Sequence, residues 1–186
     1  MDNFAGGRNL PAAIASGLRP LLPPMQVVRA PHRCKLRPMA PVVETSATID
    51  APPAEVWRAL TDPNWMKQWI AEPAMRIEIA TDWRVGSTII VKGHHNNVDF
   101  ENKGTVLEFE PYSILRYTHL SSISRLPDTA ENYTMLEFRL ERTEGNSTSL
   151  NVRISNFPAE SAFEHWQFYW TVTIGVLKQF IESAAP

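Results

Sequence analysis

The chain has 186 residues, of which 44% are hydrophobic and 20% charged, and its formal net charge is −2. That length suits one globular domain, and the composition excludes wholesale disorder and fibrous repeats. The small net charge gives no general attraction to nucleic acid, no apolar run is long enough to span a membrane, and the single cysteine, Cys34, allows no internal disulfide. We therefore expect a cytoplasmic protein that binds no nucleic acid and does not insert into a membrane.

The N-terminal segment differs from the rest of the chain in charge and in proline content. Residues 1–40 carry six lysine or arginine residues against Asp2 alone, and seven of the fifteen prolines lie between Pro11 and Pro41. Prolines at this density remove backbone donors and fix φ, which is incompatible with a long helix or a central strand. We expect residues 1–41 to be a disordered extension and residues 42–186 to be the folded domain. A targeting peptide is the alternative for the extension.

A strand and two short helices are predicted next. Residues 43–49 alternate between apolar and polar, which is the period of a half-buried strand. The two prolines at 52–53 fit the first turn of a helix, with Asp50 or Ala51 as its cap. The Asp-Pro pair at 62–63 predicts the end of that helix and the start of a second, because aspartate caps helices and proline suits their first position.

Six further strands are predicted, since β-branched and aromatic residues recur between turn residues. They are residues 75–79, 85–91, 98–109, 113–120, 133–140 and 149–154. Consecutive strands joined by short turns, such as the one at 144–146, predict an antiparallel sheet. Glu108, Glu110 and Glu137 are expected on the water-facing side of this sheet, so no pair of carboxylates for acid–base chemistry is indicated.

One long helix is predicted at about 158–182. Its polar residues fall on one narrow stripe, and the rest of its surface is nearly apolar, with Thr173 as the polar residue at the centre of the apolar arc. The residues opposite the polar stripe are Trp166, Tyr169, Trp170, Leu177 and Phe180. A helix with so little polar surface must be covered by the sheet, the earlier helices or a second subunit.

Several short motifs are familiar in this order. They are ATIDAPPAEVWRALTDP at 47–63 followed by Trp69, Arg84-Val85-Gly86-Ser87, Gly104-Thr105-Val106, Leu115-Arg116-Tyr117-Thr118, and Trp170 with Ile174, Leu177 and Lys178. Over residues 42–183 the chain resembles START-like domains of the SRPBCC superfamily. It is most similar to the branch named after the C-terminal domain of the activator of the heat-shock-protein-90 ATPase.

The resemblance implies an α+β helix-grip fold, in which a curved antiparallel sheet wraps around the long C-terminal helix. It also implies a cavity between sheet and helix that commonly holds an apolar small molecule. The sequence departs from the branch at Ser87, where a glycine is usual, at His119, where tryptophan is often found, and at Tyr169, where glycine is usual. The large Tyr169 side chain predicts a cavity that is narrowed at that end or entered from another side.

Few residues carry recognisable catalytic chemistry. No phosphate loop, nucleophile elbow or zinc motif is present in the sequence. His94, His95 and Asp99 are weighed as a metal site and disfavoured, because adjacent strand residues point to opposite faces, so we expect neither a metal nor a cofactor. If Leu115, Tyr117 and His119 face the helix, His119 is a titratable group inside the cavity. The opposite register, with Arg116 and Thr118 inside, is left open.

Three functions are compatible with these observations. The preferred one is binding of an apolar or aromatic small molecule without assigned catalysis, through Trp69 as a gate, a sheet wall of Val106, Tyr117, His119, Leu136 and Phe138, and a helix wall of Trp166, Tyr169, Trp170, Thr173 and Leu177. The second is a polyketide cyclase-like or dehydratase-like enzyme with His119 as acid and base. The third is a chaperone-interacting or dimerisation module, with Phe168, Val172 and Val176 forming a homodimer contact if they are exposed.

Overall fold

The computed structural model describes residues 40–184, so the expectations for the N-terminal extension and for Cys34 lie outside the described residues. The elements, in chain order, are β1 (Val43–Ile49), α1 (Pro53–Thr61), α2 (Pro63–Trp69), β2 (Glu78–Ala80), β3 (Thr88–His95), β4 (Val98–Glu110), β5 (Ile114–Ser121), β6 (Thr134–Arg142), β7 (Thr148–Ser155) and α3 (Glu160–Ala184). Among them, no helix combines the length and the apolar character needed to cross a bilayer.

The seven strands form one antiparallel sheet in the order β1-β7-β6-β5-β4-β3-β2. Alternate side chains of each strand lie on the same face of the sheet. The core forms where apolar residues of β6 and β7 pack against α3. On α3 the side chains of Trp170, Leu177 and Ile181 are buried in this core. The predicted α+β helix-grip fold, with two short helices after the first strand and a curved sheet around the last helix, is confirmed.

One of the two predicted helix caps is confirmed and the other is wrong. The Asp62 carboxylate accepts a hydrogen bond from the backbone N–H of Asn64 at 2.8 Å and caps α2. Helix α1 instead follows Pro52, which provides no side-chain cap. Asp50 is engaged elsewhere, because its backbone N–H donates to Glu182 Oε1 at 2.8 Å and its carboxylate accepts from the Ser147 hydroxyl at 3.1 Å. Asp50 therefore joins β1 to the end of α3.

The outer face of the sheet carries a ladder of alternating charges across five strands. Glu108, Arg116, Glu137, Arg153 and Glu44 lie directly opposite one another on β4, β5, β6, β7 and β1. Arg116 contacts Glu108 at 3.0 Å and Glu137 at 2.6 Å, and Arg153 contacts Glu44 at 3.1 Å. Opposite charges that face each other across a sheet stabilise the strand register.

Glu137 lies on the outer face as expected, but the expectation that it faces water is wrong. Only 8% of the residue is exposed, because the guanidinium groups of Arg116 and Arg139 cover its carboxylate, each at 2.6 Å. Burial by itself raises the pKa of Glu137, yet the hydrogen bonds from Arg139 and Arg116 outweigh burial and lower it. Glu137 is therefore a charged group held under two cations.

Replacing Glu137 by glutamine is expected to lower the free energy of unfolding at pH 7 by about 1.5–3 kcal/mol, the range for hydrogen bonds to charged groups. Because the folded state lowers the pKa of Glu137, its stabilisation is present above the unfolded pKa and is lost as the pH falls through the folded value. Urea unfolding should show that wild type and Glu137→Gln differ less at pH 3 than at pH 7. Glu141→Gln, at an exposed position on the same strand, is the control. An equal difference at both pH values would contradict this assignment.

Candidate functional site

A cavity of about 650 Å³ lies between the inner face of the sheet and α3. Strands β3 to β6, helix α2 and the first half of α3 contribute its walls, which are mainly apolar and aromatic. The second half of α3 packs on the core and closes that end. The sheet and helix are thus held apart at one end of the domain and in contact at the other.

Strand β5 provides the polar part of the sheet wall. Leu115 is buried, and Tyr117 and His119 line the cavity two and four residues further along the same face. The Arg116 side chain points outward to its two carboxylate partners, so the register that places His119 inside is the one adopted. From β6, Leu136 and Phe138 complete this wall, as predicted, and Tyr117 stacks on Phe138 with ring centroids 6.0 Å apart.

Three aromatic side chains of α3 form the opposite wall. Trp166, Tyr169 and Trp170 all line the cavity. The Trp166 ring meets the His119 imidazole edge to face at 5.0 Å, and the Trp170 ring meets Phe138 at 5.6 Å. These contacts attach the helix to the sheet while the rings border the cavity and leave it open. The Tyr169 hydroxyl donates to the backbone carbonyl of Ile70 at 3.3 Å, which joins α3 to the end of α2.

Three of the predicted ligand-contacting residues do not line the cavity. Leu177 is completely buried and Thr173 is 7% exposed, and both lie beyond Trp170, where α3 already packs against the core. Val106 is completely buried on β4, where its backbone pairs with the turn at Gly86 and Ser87. These three positions stabilise the domain next to the cavity and drop out of the candidate site.

Trp69 lines the cavity, but the predicted gating role does not fit its surroundings. Its indole N–H donates to the backbone carbonyl of Ala59 at 2.8 Å, and only 8% of the residue is exposed. Its ring also lies 6.3 Å from that of Trp170. A buried ring fixed by a hydrogen bond between two helices belongs to the inner wall, not to a mobile entrance.

The rim of the cavity includes residues that the sequence did not indicate. Ile123 and Leu126, in the connection between β5 and β6, line the cavity and are 57% and 38% exposed. This connection is fixed to β4, because Asp128 accepts hydrogen bonds from Lys103 Nζ and from the Tyr133 hydroxyl, both at 2.6 Å. No apolar periodicity marks this segment, so sequence patterns alone could not assign it to the site.

Most of the described domain is similar to a known protein family. Residues 50–182 match the family described as Activator of Hsp90 ATPase homolog 1-like protein, abbreviated AHSA1. The chain belongs to the AHSA1 family. The resemblance to the activator branch of START-like domains is thereby confirmed. No curated protein matches the chain.

Solved structures from several bacteria share the AHSA1 fold. ChR145 from Cytophaga hutchinsonii is 29% identical, with a TM-score of 0.65 over 77% of this chain and 94% of that chain. CalU16 from Micromonospora echinospora is 25% identical, with a TM-score of 0.56 over 76% of each chain. The Aha1 dimer from Colwellia psychrerythraea is 24% identical, with a TM-score of 0.59 over 78% of this chain and 99% of that chain. Family membership supports a ligand-binding or interaction domain in general.

Burial keeps three polar groups of this AHSA1 cavity uncharged at neutral pH. It lowers the pKa of His119 to about 4 and raises the pKa values of Tyr117 and Tyr169. His95 lies on the rim, whereas its neighbour His94 contacts Asp99 at 2.7 Å. Within residues 40–184, no three His, Cys, Asp or Glu side chains are grouped so that they could hold a metal ion.

Proposed function

We propose that this domain binds an apolar or aromatic small molecule in the cavity between the sheet and α3, with no assigned catalysis. The observation that carries the proposal is a cavity of about 650 Å³ between aromatic walls, which lies within the range of about 300–1,000 Å³ common for small-molecule sites. Removing an apolar molecule from water into such a space is favourable. The cytoplasm is the proposed compartment, because a single cysteine gives no disulfide that would require an oxidising one.

Titration with the apolar dye Nile red tests the proposal. We expect a saturable rise in its fluorescence at micromolar protein concentration, together with quenching of tryptophan emission, because Trp69, Trp166 and Trp170 line the cavity. Fatty acids, flavonoids and polyketide-like aromatics can then be compared as competitors. The absence of saturable binding by the dye and by every competitor would contradict the proposal.

Catalysis by His119 is less well supported than binding. The imidazole lies inside the cavity, as an acid–base role requires. Its pKa of about 4 is far below neutrality, however, so the imidazole is a weak base at neutral pH. An efficient acid–base group has a pKa close to the pH at which the enzyme works. A cyclase-like or dehydratase-like reaction therefore stays an alternative, for which loss of turnover in His119→Ala without loss of folding would be the evidence.

We further propose that two copies of the domain associate through α3. Phe168, Val172 and Val176 follow one another at intervals of four residues and are 74%, 57% and 43% exposed. Gly175 lies beside them, and within residues 40–184 no atom other than the helix's own backbone and its chain neighbours lies within 4 Å of where a Cβ would be, so a second helix could approach closely. An apolar stripe of this kind is typical of an interaction surface. A chaperone would be the alternative partner for the same stripe.

Replacing Val172 by aspartate is expected to convert a dimer into a monomer, because the change places a charge in the centre of the apolar stripe. Sedimentation equilibrium over a range of micromolar concentrations would measure the dissociation constant, which should rise at least about tenfold, or about 1.4 kcal/mol. Val85→Asp is the matched control, since Val85 is 66% exposed at a distant turn. A wild-type protein that is monomeric at high concentration would contradict self-association.

A further inference from the structure

We propose that the ligand is an uncharged ring compound with a hydroxyl or carbonyl group, held by hydrogen bonds to Tyr117 and His119. This inference rests on the proposed function and narrows it to a chemical class. Three features of the cavity support it: two polar groups to which no other described residue bonds, aromatic walls on both sides, and, in the part of the chain that the structure describes, no unpaired charge in the lining.

The first feature is the state of the two polar side chains on β5. Within residues 40–184, no other residue forms a hydrogen bond with the Tyr117 hydroxyl or the His119 ring, and the His119 ring is bonded only to its own backbone. Both side chains line the cavity. Neither is among the residues with a fully buried polar atom that lacks a hydrogen-bond partner, so their polar atoms are reachable from the cavity. Buried polar groups are normally hydrogen-bonded, and those without a protein partner are the ones that a ligand can satisfy. The cavity thus offers two vacant hydrogen-bonding positions on one strand.

The second feature is the position of these groups between aromatic rings. Tyr117 and His119 are two residues apart on an extended strand, so their Cα atoms are separated by about 6.6 Å. Tyr117 stacks on Phe138, and the His119 and Trp166 rings meet in a T-shaped contact at the cavity wall. A flat ring between the sheet and α3 would contact aromatic faces and edges, while a polar substituent on it reached β5. Ring compounds therefore fit these walls better than extended chains.

The third feature is the lack of a charge to pair with the ligand. Among residues 40–184, the lining includes no Asp, Glu or Arg and one lysine, Lys103, whose ammonium group lies 2.6 Å from Asp128. Burial keeps His119 and Tyr117 neutral at neutral pH, and His95 and His165 lie on the exposed rim. A carboxylate or ammonium group entering the cavity would lose its hydration without gaining an opposite charge. The same hydroxyl and imidazole can donate to an uncharged carbonyl, and they can donate to or accept from an uncharged hydroxyl.

Three compounds with one tricyclic skeleton test the inference: phenanthrene, 9-phenanthrol and phenanthrene-9-carboxylate. Equilibrium dialysis at pH 7.5 would give the three dissociation constants. We expect 9-phenanthrol to bind at least about tenfold more tightly than phenanthrene, and the carboxylate at least about tenfold more weakly than phenanthrene. In Tyr117→Phe the advantage of 9-phenanthrol over phenanthrene should fall to less than about threefold. Tyr112→Phe, at an exposed tyrosine outside the cavity, is the matched control.

The outcomes separate this inference from the proposed function. Equal affinities for phenanthrene and 9-phenanthrol, or tightest binding of the carboxylate, would overturn the inference and leave ligand binding intact. Binding of Nile red without binding of any of the three compounds would also overturn it. If neither the dye nor these compounds bind, the proposed function fails as well. Should Tyr117→Phe not fold, as judged by circular dichroism, the wild-type affinities alone decide.

Discussion

Replacing Ala162 by tryptophan is expected to lower the affinity of the protein for Nile red by about a hundredfold or more, equivalent to about 2.8 kcal/mol. Ala162 lies in the first half of α3, is half-buried and lines the cavity. An indole at this position would occupy space that a ligand needs, whereas the buried end of α3 that anchors the helix would be untouched. Binding should therefore be lost without loss of folding.

The control for this change is Gln179→Trp, which adds the same ring to an exposed position on the same helix, away from the cavity. It should bind Nile red as wild type does, so a general effect of an added tryptophan on the dye would be detected. Circular dichroism and thermal unfolding would show whether both variants keep the native fold. An unchanged affinity in Ala162→Trp would mean that the dye binds elsewhere on the protein.

The second large effect is expected at Gly104 on β4. A Cβ at this position would lie 1.6 Å from the backbone carbonyl oxygen of Thr118 on the neighbouring strand, a distance that no pair of non-bonded atoms can adopt. Gly104→Ala must therefore push β4 and β5 apart, and we expect the free energy of unfolding to fall by about 3 kcal/mol or more. Because Thr118 directly precedes His119, ligand binding should weaken in any fraction that still folds.

Urea unfolding curves would measure this loss, and Gly175→Ala is its matched control. Gly175 is exposed in the interior of α3 with no atom near the position of a new Cβ. At protein concentrations below the dissociation constant of the proposed dimer, the same substitution there should raise the stability of the monomer by about 0.5–1 kcal/mol, because alanine favours the helix over the unfolded chain. Equal stability of Gly104→Ala and wild type would show that the two strands are not as close as described.

The sequence predicted the sheet well because period-two alternation reports directly on burial. It could not decide between the two registers of β5, since Tyr117 and Thr118 are both compatible with either face. Outer-face partners decide it in the structure, where Arg116 contacts Glu108 and Glu137. Strict alternation would also have turned Glu108 to the same side as Val106. An irregularity in the pairing of β4 with β5 between these two residues shifts the alternation of side chains by one residue, so Glu108 faces outward.

The candidate site was less predictable than the fold. An apolar surface on most sides of a helix indicates that other elements cover it. It does not indicate which half of the helix is separated from the sheet by a cavity. Trp166, Tyr169 and Trp170 border the cavity, whereas Thr173 and Leu177 pack in the core, although all lie on the predicted apolar arc. Asn102 is a residue of the cavity that the sequence pattern could have identified. Alternation from Val106 places its side chain on the inner face of the sheet, and it lines the cavity.

The most direct test of the account is a crystal structure of the protein soaked with 9-phenanthrol. We predict electron density for the compound between β5 and the first half of α3, with its oxygen within hydrogen-bonding distance of Tyr117 or His119. A structure in which aromatic side chains fill this space, so that no compound enters, would contradict the account.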